Sequence, residues 1–274
     1  MKKLIAVILV LVMAMALVAC GGSADNGNKI AVQKGTTSFM YADLLKGATT
    51  VSYDTFALAV NDMKNGNADY VFVDKTTAQA LCKEIAGIKM IDIPLSSENY
   101  GIGIDPNQAD LKGKIDAILT SKAAEIQAIK DKYMNGEEDK YVGVTSAAKD
   151  VNKADTQLVV ATNAEFAPWE YKEGNMFYGI DMEIAQLIAT ELGLELVIDD
   201  MDFDMVVGAV GKQGVDIAMS GITITAERME VINFSVPYYT ESIVTVCKAE
   251  DTSLDAVGTV VDLLTVVCSE TAEQ

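Results

Sequence analysis

Short apolar segments alternate with helical patterns along most of this chain, and that alternation restricts it to an α/β architecture built on parallel strands. From residue 29 the expected order is strand 29–33, helix 38–46, strand 50–53, helix 54–64 and strand 69–73. Ser38 and Asp54 stand where N-caps belong, and Gly47 and Gly66 where helices should stop. After YGIGI at 100–104 come helical stretches over 108–120 and 122–133, then a polar connector over 135–156. A second series follows: strand 157–162, helix 181–192 stopped by Gly193, strand 195–198, helix 204–212, strand 215–219 and a closing strand 242–248. The two series share a phrase. In one, a helix leads through Gly66 and Asp69 into an apolar strand and Asp74; in the other, through Gly214 and Asp216 into an apolar strand and Ser220. Both phrases deliver polar groups to the carboxyl end of a parallel strand, where open α/β sheets bind ligands. Two α/β lobes with a ligand cleft between them, closing on the ligand, are therefore expected.

Composition removes several function classes. The 274 residues suffice for one large domain or two small lobes. Twenty-one Lys and Arg against 40 Asp and Glu give a net charge of −19, which repels nucleic acid. The chain has no histidine, so His-based triads, His-ligated metals and the usual neutral-pH general base are absent. No cofactor or metal is expected. The acidic run 199–204 (DDMDFD) lacks the Gly and terminal Glu of a helix–loop–helix calcium site and reads as a solvated turn with Asp204 as a helix cap. Cys82, Cys247 and Cys268 have no close spacing and imply no disulfide framework; Cys82 and Cys247 read as small buried hydrophobes.

The first residues carry an export signal. Met1-Lys2-Lys3 precedes an unbroken apolar run from Leu4 to Ala19, shorter than the ~20 residues of a membrane span. LVAC at 17–20 resembles the bacterial lipobox, which implies diacylation of Cys20 and a chain held on the membrane by its lipid. Residues 1–19 are then a signal peptide and 20–28 a lipidated tether.

Several longer phrases resemble the extracellular solute-binding proteins of bacterial amino-acid ABC transporters, whose fold is the type II periplasmic-binding-protein fold. LVVATNAEFAPWEY at 158–171, GID at 179–181, MDF at 201–203, SGITITAER at 220–228 and FSVPYY at 234–239 are similar to that family's first lobe. VQKGTT at 32–37, Ala68-Asp69, Asp74 and Tyr100-Gly-Ile102 resemble its second lobe. The resemblance implies a receptor that binds a free amino acid and hands it to a membrane permease, with no enzymatic step. It assigns the ligand carboxylate to Arg228, whose planar fork suits bidentate binding, with Ser220, Gly221 and Thr223 adding hydrogen bonds. It makes Asp74 the ammonium acceptor, places Gln33 and Thr37 at the carboxylate or side chain, and makes Phe166 and Phe203 aromatic walls. Asn163 stands where relatives that prefer cationic ligands carry an acid, which favours a polar uncharged or acidic ligand.

The lobe order departs from the family. The second-lobe segment, 29–99, comes first; 100–134 is a hinge strand with helices returning to the first lobe; 135–156 is a linker; 157–248 is the first-lobe core, ended by its hinge strand. This is the arrangement of a circular permutant. Residues 249–274 stay unassigned, and the valine-rich stretch 257–267 is suited to an edge strand or to association. Two other readings compete: a degenerate surface lipoprotein or fragment of a tandem array, and an enzyme on the same scaffold such as a periplasmic dehydratase.

Overall fold

The computed structural model describes residues 27–150, 152 and 154–269, so the signal segment and Cys20 lie outside the described residues. In chain order the elements are β1 (Lys29–Gln33), α1 (Thr37–Asp43), β2 (Thr49–Tyr53), α2 (Phe56–Lys64), β3 (Tyr70–Asp74), α3 (Lys75–Glu84), β4 (Ile88–Ile91), β5 (Glu98–Tyr100) and β6 (Gly103–Ile104). They continue with α4 (Ala109–Ser121), α5 (Ala123–Met134), β7 (Gln157–Thr162), β8 (Glu165–Phe166), β9 (Glu170–Glu173), β10 (Met176–Tyr178), α6 (Ile180–Leu192) and β11 (Glu195–Asp200). The last are α7 (Phe203–Ala209), β12 (Ile217–Ala218), β13 (Asn233–Phe234), β14 (Tyr239–Glu241), β15 (Ile243–Lys248) and α8 (Val260–Val267). The protein is mixed α/β, as the alternation requires, and divides into two units: unit 2 is Ser97–Glu241, and unit 1 holds the described residues on either side of it.

Unit 1 is built on a sheet of order β2-β1-β3-β15-β4. Strand β1 runs parallel to β2 and β3, while β15 runs antiparallel to β3 and β4. The strands are buried because their apolar runs are continuous: all of β3 (YVFVD) is buried, as a central strand covered on both faces should be. Ile30, Val32, Phe72, Ile243 and Cys247 form one core with Leu263, Leu264 and Val267 of α8. Unit 2 repeats the order, β11-β7-β12-β6-β13, with β7 parallel to β11 and β12 and β6 antiparallel to β12 and β13. Its three-stranded sheet β10-β9-β8 and the pair β14-β5 lie beside this frame.

Several expectations need correction. Helix α1 is capped by Thr36, whose hydroxyl accepts from the Phe39 N–H, and Ser38 lies buried inside the helix. Helix α2 is capped by Thr55 through the Leu58 N–H, while Asp54 pairs with Lys34 at 2.6 Å. The N-cap position of α7 is Asp202, not Asp204, and the helix ends at Ala209 because Val210 is extended and Gly211 has φ +76°. The valine-rich tail forms α8 rather than a strand, since the Thr259 hydroxyl caps it through the Asp262 N–H and its apolar face closes the unit 1 core. The connector 135–156 is no free linker: Val144 pairs with Phe177, Ser146 bonds to Ile198, and the Val142 N–H donates to Glu183. Strand β15 joins the unit 1 sheet instead of ending the lobe that contains β7, so the chain passes between the units twice.

Candidate functional site

The carboxyl ends of β7 and β12 in unit 2 open onto one turn, Ser220–Thr223. Strand β7 ends at Thr162 and delivers Asn163, while β12 ends two residues before Ser220. The turn requires glycine at 221: φ is +52°, and a Cβ there would lie 2.8 Å from Phe166 Cε1 and 3.2 Å from Tyr100 Cε2. Phe166 therefore packs directly against the turn. Behind it, Tyr100 and Trp169 meet edge to face at 5.0 Å, and Trp169 meets Tyr239 at 4.7 Å, which fixes the floor of the site with large rigid rings.

Arg228 is 8 % exposed and starts a short 3₁₀ turn. Its Nη1 donates to the Thr223 carbonyl at 2.8 Å, its backbone N–H donates to Thr225 Oγ1 at 3.1 Å, and its guanidinium carbon lies 5.7 Å from the centre of the half-buried Phe203 ring. A guanidinium is a planar fork of five N–H donors, a shape suited to a carboxylate.

The three polar positions of the turn are each tied to a buried acid. Ser220 Oγ donates to Glu170 Oε1 at 2.8 Å and accepts from the Asn163 N–H at 3.1 Å. The Gly221 N–H donates to Asp181 Oδ2 at 2.9 Å, and Thr223 Oγ1 donates to Glu98 Oε2 at 2.6 Å. The Asn163 carboxamide donates to the Met201 carbonyl at 3.0 Å. Asp181 is completely buried on the first turn of α6, where it also accepts from the Tyr238 hydroxyl at 2.8 Å. Burial pushes its carboxyl up to about 7, against the opposing pull of the Gly221 and Tyr238 hydrogen bonds, and raises the Tyr238 phenol well above its usual range.

The structure thus brings Asn163, Phe166, Phe203, Ser220, Gly221, Thr223 and Arg228 into one region of unit 2. It places Gln33, Thr37 and Asp74 in unit 1. Gln33 ends β1 and its Nε2 donates to the Asp54 carbonyl at 2.8 Å, and Thr37 opens α1. Asp74 ends β3 at the N-cap position of α3, where its side chain makes no capping hydrogen bond. Glu98, Glu170 and Asp181 are the members that sequence reasoning missed. Glu170 and Asp181 lie in quoted phrases, but residue type alone does not distinguish a buried acid from one complementing a helix terminus.

Residues 158–268 match the model of the bacterial extracellular solute-binding proteins, family 3. The chain is 38 % identical over 94 residues to the arginine-binding extracellular protein ArtP of Bacillus subtilis, covering 34 % of this chain and 37 % of that protein. It is 34 % identical over 96 residues to a cyclohexadienyl dehydratase of Pseudomonas aeruginosa, covering 34 % of this chain and 36 % of that protein. The chain therefore spans little more than a third of the length of these curated relatives. Among solved structures, the arginine-bound form of domain 1 from TmArgBP is 33 % identical, with 44 % of this chain and 98 % of that chain covered and a TM-score of 0.31.

Proposed function

We propose that the protein binds a free α-amino acid without transforming it and presents it to an ABC permease. The observation that carries this reading is the buried guanidinium of Arg228, oriented by Thr223 and Phe203 beside a turn that only glycine can make. Arg228 takes the ligand carboxylate, Thr223 and the backbone of Ser220 and Gly221 border it, and Phe166 and Phe203 flank the ligand; Asp74, Gln33 and Thr37 keep the roles that the family resemblance implies. The side-chain preference drawn from Asn163, polar uncharged or acidic, stands against the arginine named for ArtP, and a titration with both ligand types separates them. Diacylation at Cys20 holds the receptor at the outer face of the membrane. The test is thermal unfolding of the purified chain with each of the twenty amino acids at millimolar concentration, because a ligand that binds the native state raises stability by mass action. A rise with one or a few supports the reading. No rise from folded protein, or dehydration of a cyclohexadienyl substrate, refutes it; the dehydratase relative makes turnover the alternative worth measuring.

We also infer that the lobes are circularly permuted relative to the family. Two observations support this. The family match runs from β7 through β15 and α8, whereas the segment carrying Gln33, Thr37 and Asp74 precedes it. In unit 1 the Asn28 carboxamide donates to the carbonyls of Val266 at 3.1 Å and Val267 at 3.2 Å, so the last turn of α8 meets the start of β1, where a direct connection would run.

A further inference from the structure

Two fully buried carboxyl groups stand behind the ligand turn, and the assignment of Arg228 and its neighbours makes no use of either. Glu170, on β9, receives the Ser220 hydroxyl; Asp181, on α6, receives the Gly221 N–H. Together they fix two successive residues of the turn, against which Phe166 also packs. Their sites differ in an important respect. Glu170 meets a neutral hydroxyl that is itself held by the Asn163 N–H. Asp181 is clamped between a backbone amide and a phenol, and the groups acting on it include no cation.

We propose that Asp181 is a positioning residue for the amino-acid site, holding Gly221 through its carboxylate and loosening that hold when it takes up a proton. The proposal rests on the binding function assigned above and adds its regulation by pH. A hydrogen bond from an amide to a carboxylate is about twice as strong as one to a neutral acceptor. When the carboxyl is protonated, one oxygen turns donor toward Tyr238 Oη and the other remains a neutral acceptor for Gly221. Gly221 is held at φ +52° with Phe166 and Tyr100 in close contact, so a weaker pull at its N–H shifts the turn that borders Arg228. Burial raises this carboxyl into the neutral range, where proton uptake falls within physiological conditions.

Tyr238 faces Asp181 from the segment before β14, and Glu170 bears on Tyr238 from β9. Lys130 of α5 donates to the Tyr238 carbonyl. Two residues along α6, Glu183 is engaged by Lys132 and Tyr133 of α5. The chain has no histidine, so the residue type that ordinarily titrates near neutrality contributes nothing to the signal.

The experiment has two arms. The first follows the Gly221 amide by two-dimensional NMR of the ligand-free chain from pH 5.5 to 8, in wild type and in Asp181→Asn. A wild-type shift with a midpoint near neutrality, absent from the variant, is expected; a wild-type amide that does not move overturns the proposal. The second measures calorimetric Kd for L-arginine and L-glutamine over the same range in both proteins, with circular dichroism to confirm folding. The expected result is a wild-type affinity at least threefold weaker at pH 5.5 than at pH 8, for whichever probe binds, and a single Kd across the range for Asp181→Asn, whose amide oxygen still accepts from Gly221. A flat wild-type profile, or a step that survives in the variant, overturns the proposal while leaving amino-acid binding intact. If neither probe nor any of the twenty amino acids binds the folded wild type, the binding function itself fails, and the NMR arm shows separately whether Asp181 controls the turn.

Discussion

Replacing Gly221 by alanine tests whether the turn is packed as the structure has it. Two costs add. The positive φ of +52° is strained for an L-residue by roughly 1–2 kcal/mol. The new Cβ meets Phe166 Cε1 at 2.8 Å and Tyr100 Cε2 at 3.2 Å, and overpacking of this kind costs about 1–3 kcal/mol. Tyr100 leans on the fully buried Trp169, so the rings have little room to yield. The sum is about 2–5 kcal/mol. Two other glycines separate the terms. Gly193 has φ +69° and open space around a Cβ, so Gly193→Ala should cost only roughly the 1–2 kcal/mol of strain. Gly208, near the end of α7, has neither positive φ nor a neighbour within 4 Å, so Gly208→Ala should stabilise by about 0.5–1 kcal/mol. Urea unfolding followed by the single tryptophan, Trp169, reports on unit 2 directly. If Gly221→Ala costs no more than Gly193→Ala, the close approach of Phe166 and Tyr100 to the turn is refuted.

Other consequences are as specific. Asp181 has a folded value raised from 3.8 to about 7, so its contribution is fully present below pH 3.8 and is lost as pH rises through 7. Wild type should therefore lose stability relative to Asp181→Asn between pH 4 and pH 8, by roughly 4 kcal/mol at most, and parallel urea curves across that range would disprove the effect. Glu183 accepts from Tyr133 Oη at 2.7 Å and the Val142 N–H at 3.1 Å and pairs with Lys132; Glu183→Leu should cost about 3–5 kcal/mol and free the connector to proteolysis near Val142. Asn28→Ala removes two hydrogen bonds to the end of α8 and should cost about 1–3 kcal/mol, read as earlier loss of amide-exchange protection in α8 than in β7.

Much of the framework was legible because parallel strands buried on both faces leave unbroken apolar runs: β1 and β7 lie where the sequence puts them, residue for residue. The helix starts were not. At both α1 and α2 a threonine outcompeted a nearby candidate cap, and at α2 the displaced Asp54 had an alternative partner in Lys34, which only the fold brings near. The connector 135–156 looks like a linker by composition because its anchors are single contacts, such as Val144 with Phe177, rather than a periodic apolar face. Tail valines favour strands, yet Thr259 and the empty side of the unit 1 core turn them into α8. In the site, Arg228 and the glycine turn were visible as a phrase, whereas Glu98, Glu170 and Asp181 were not, because an acid in sequence carries no sign of being buried. The same burial means that the Ser220 and Thr223 hydroxyls and the Gly221 N–H already serve protein acceptors.

Amino-acid binding through Arg228 is tested most directly by calorimetric titration of wild type and Arg228→Ala with whichever amino acid raises the wild-type melting temperature most. Removing the guanidinium leaves the ligand carboxylate without its charged partner, a loss of about 2–5 kcal/mol, or roughly 30- to 4,000-fold in Kd. A weakening of that size, with Trp169 fluorescence showing the variant folded, is the expected result. A change of less than threefold would contradict it.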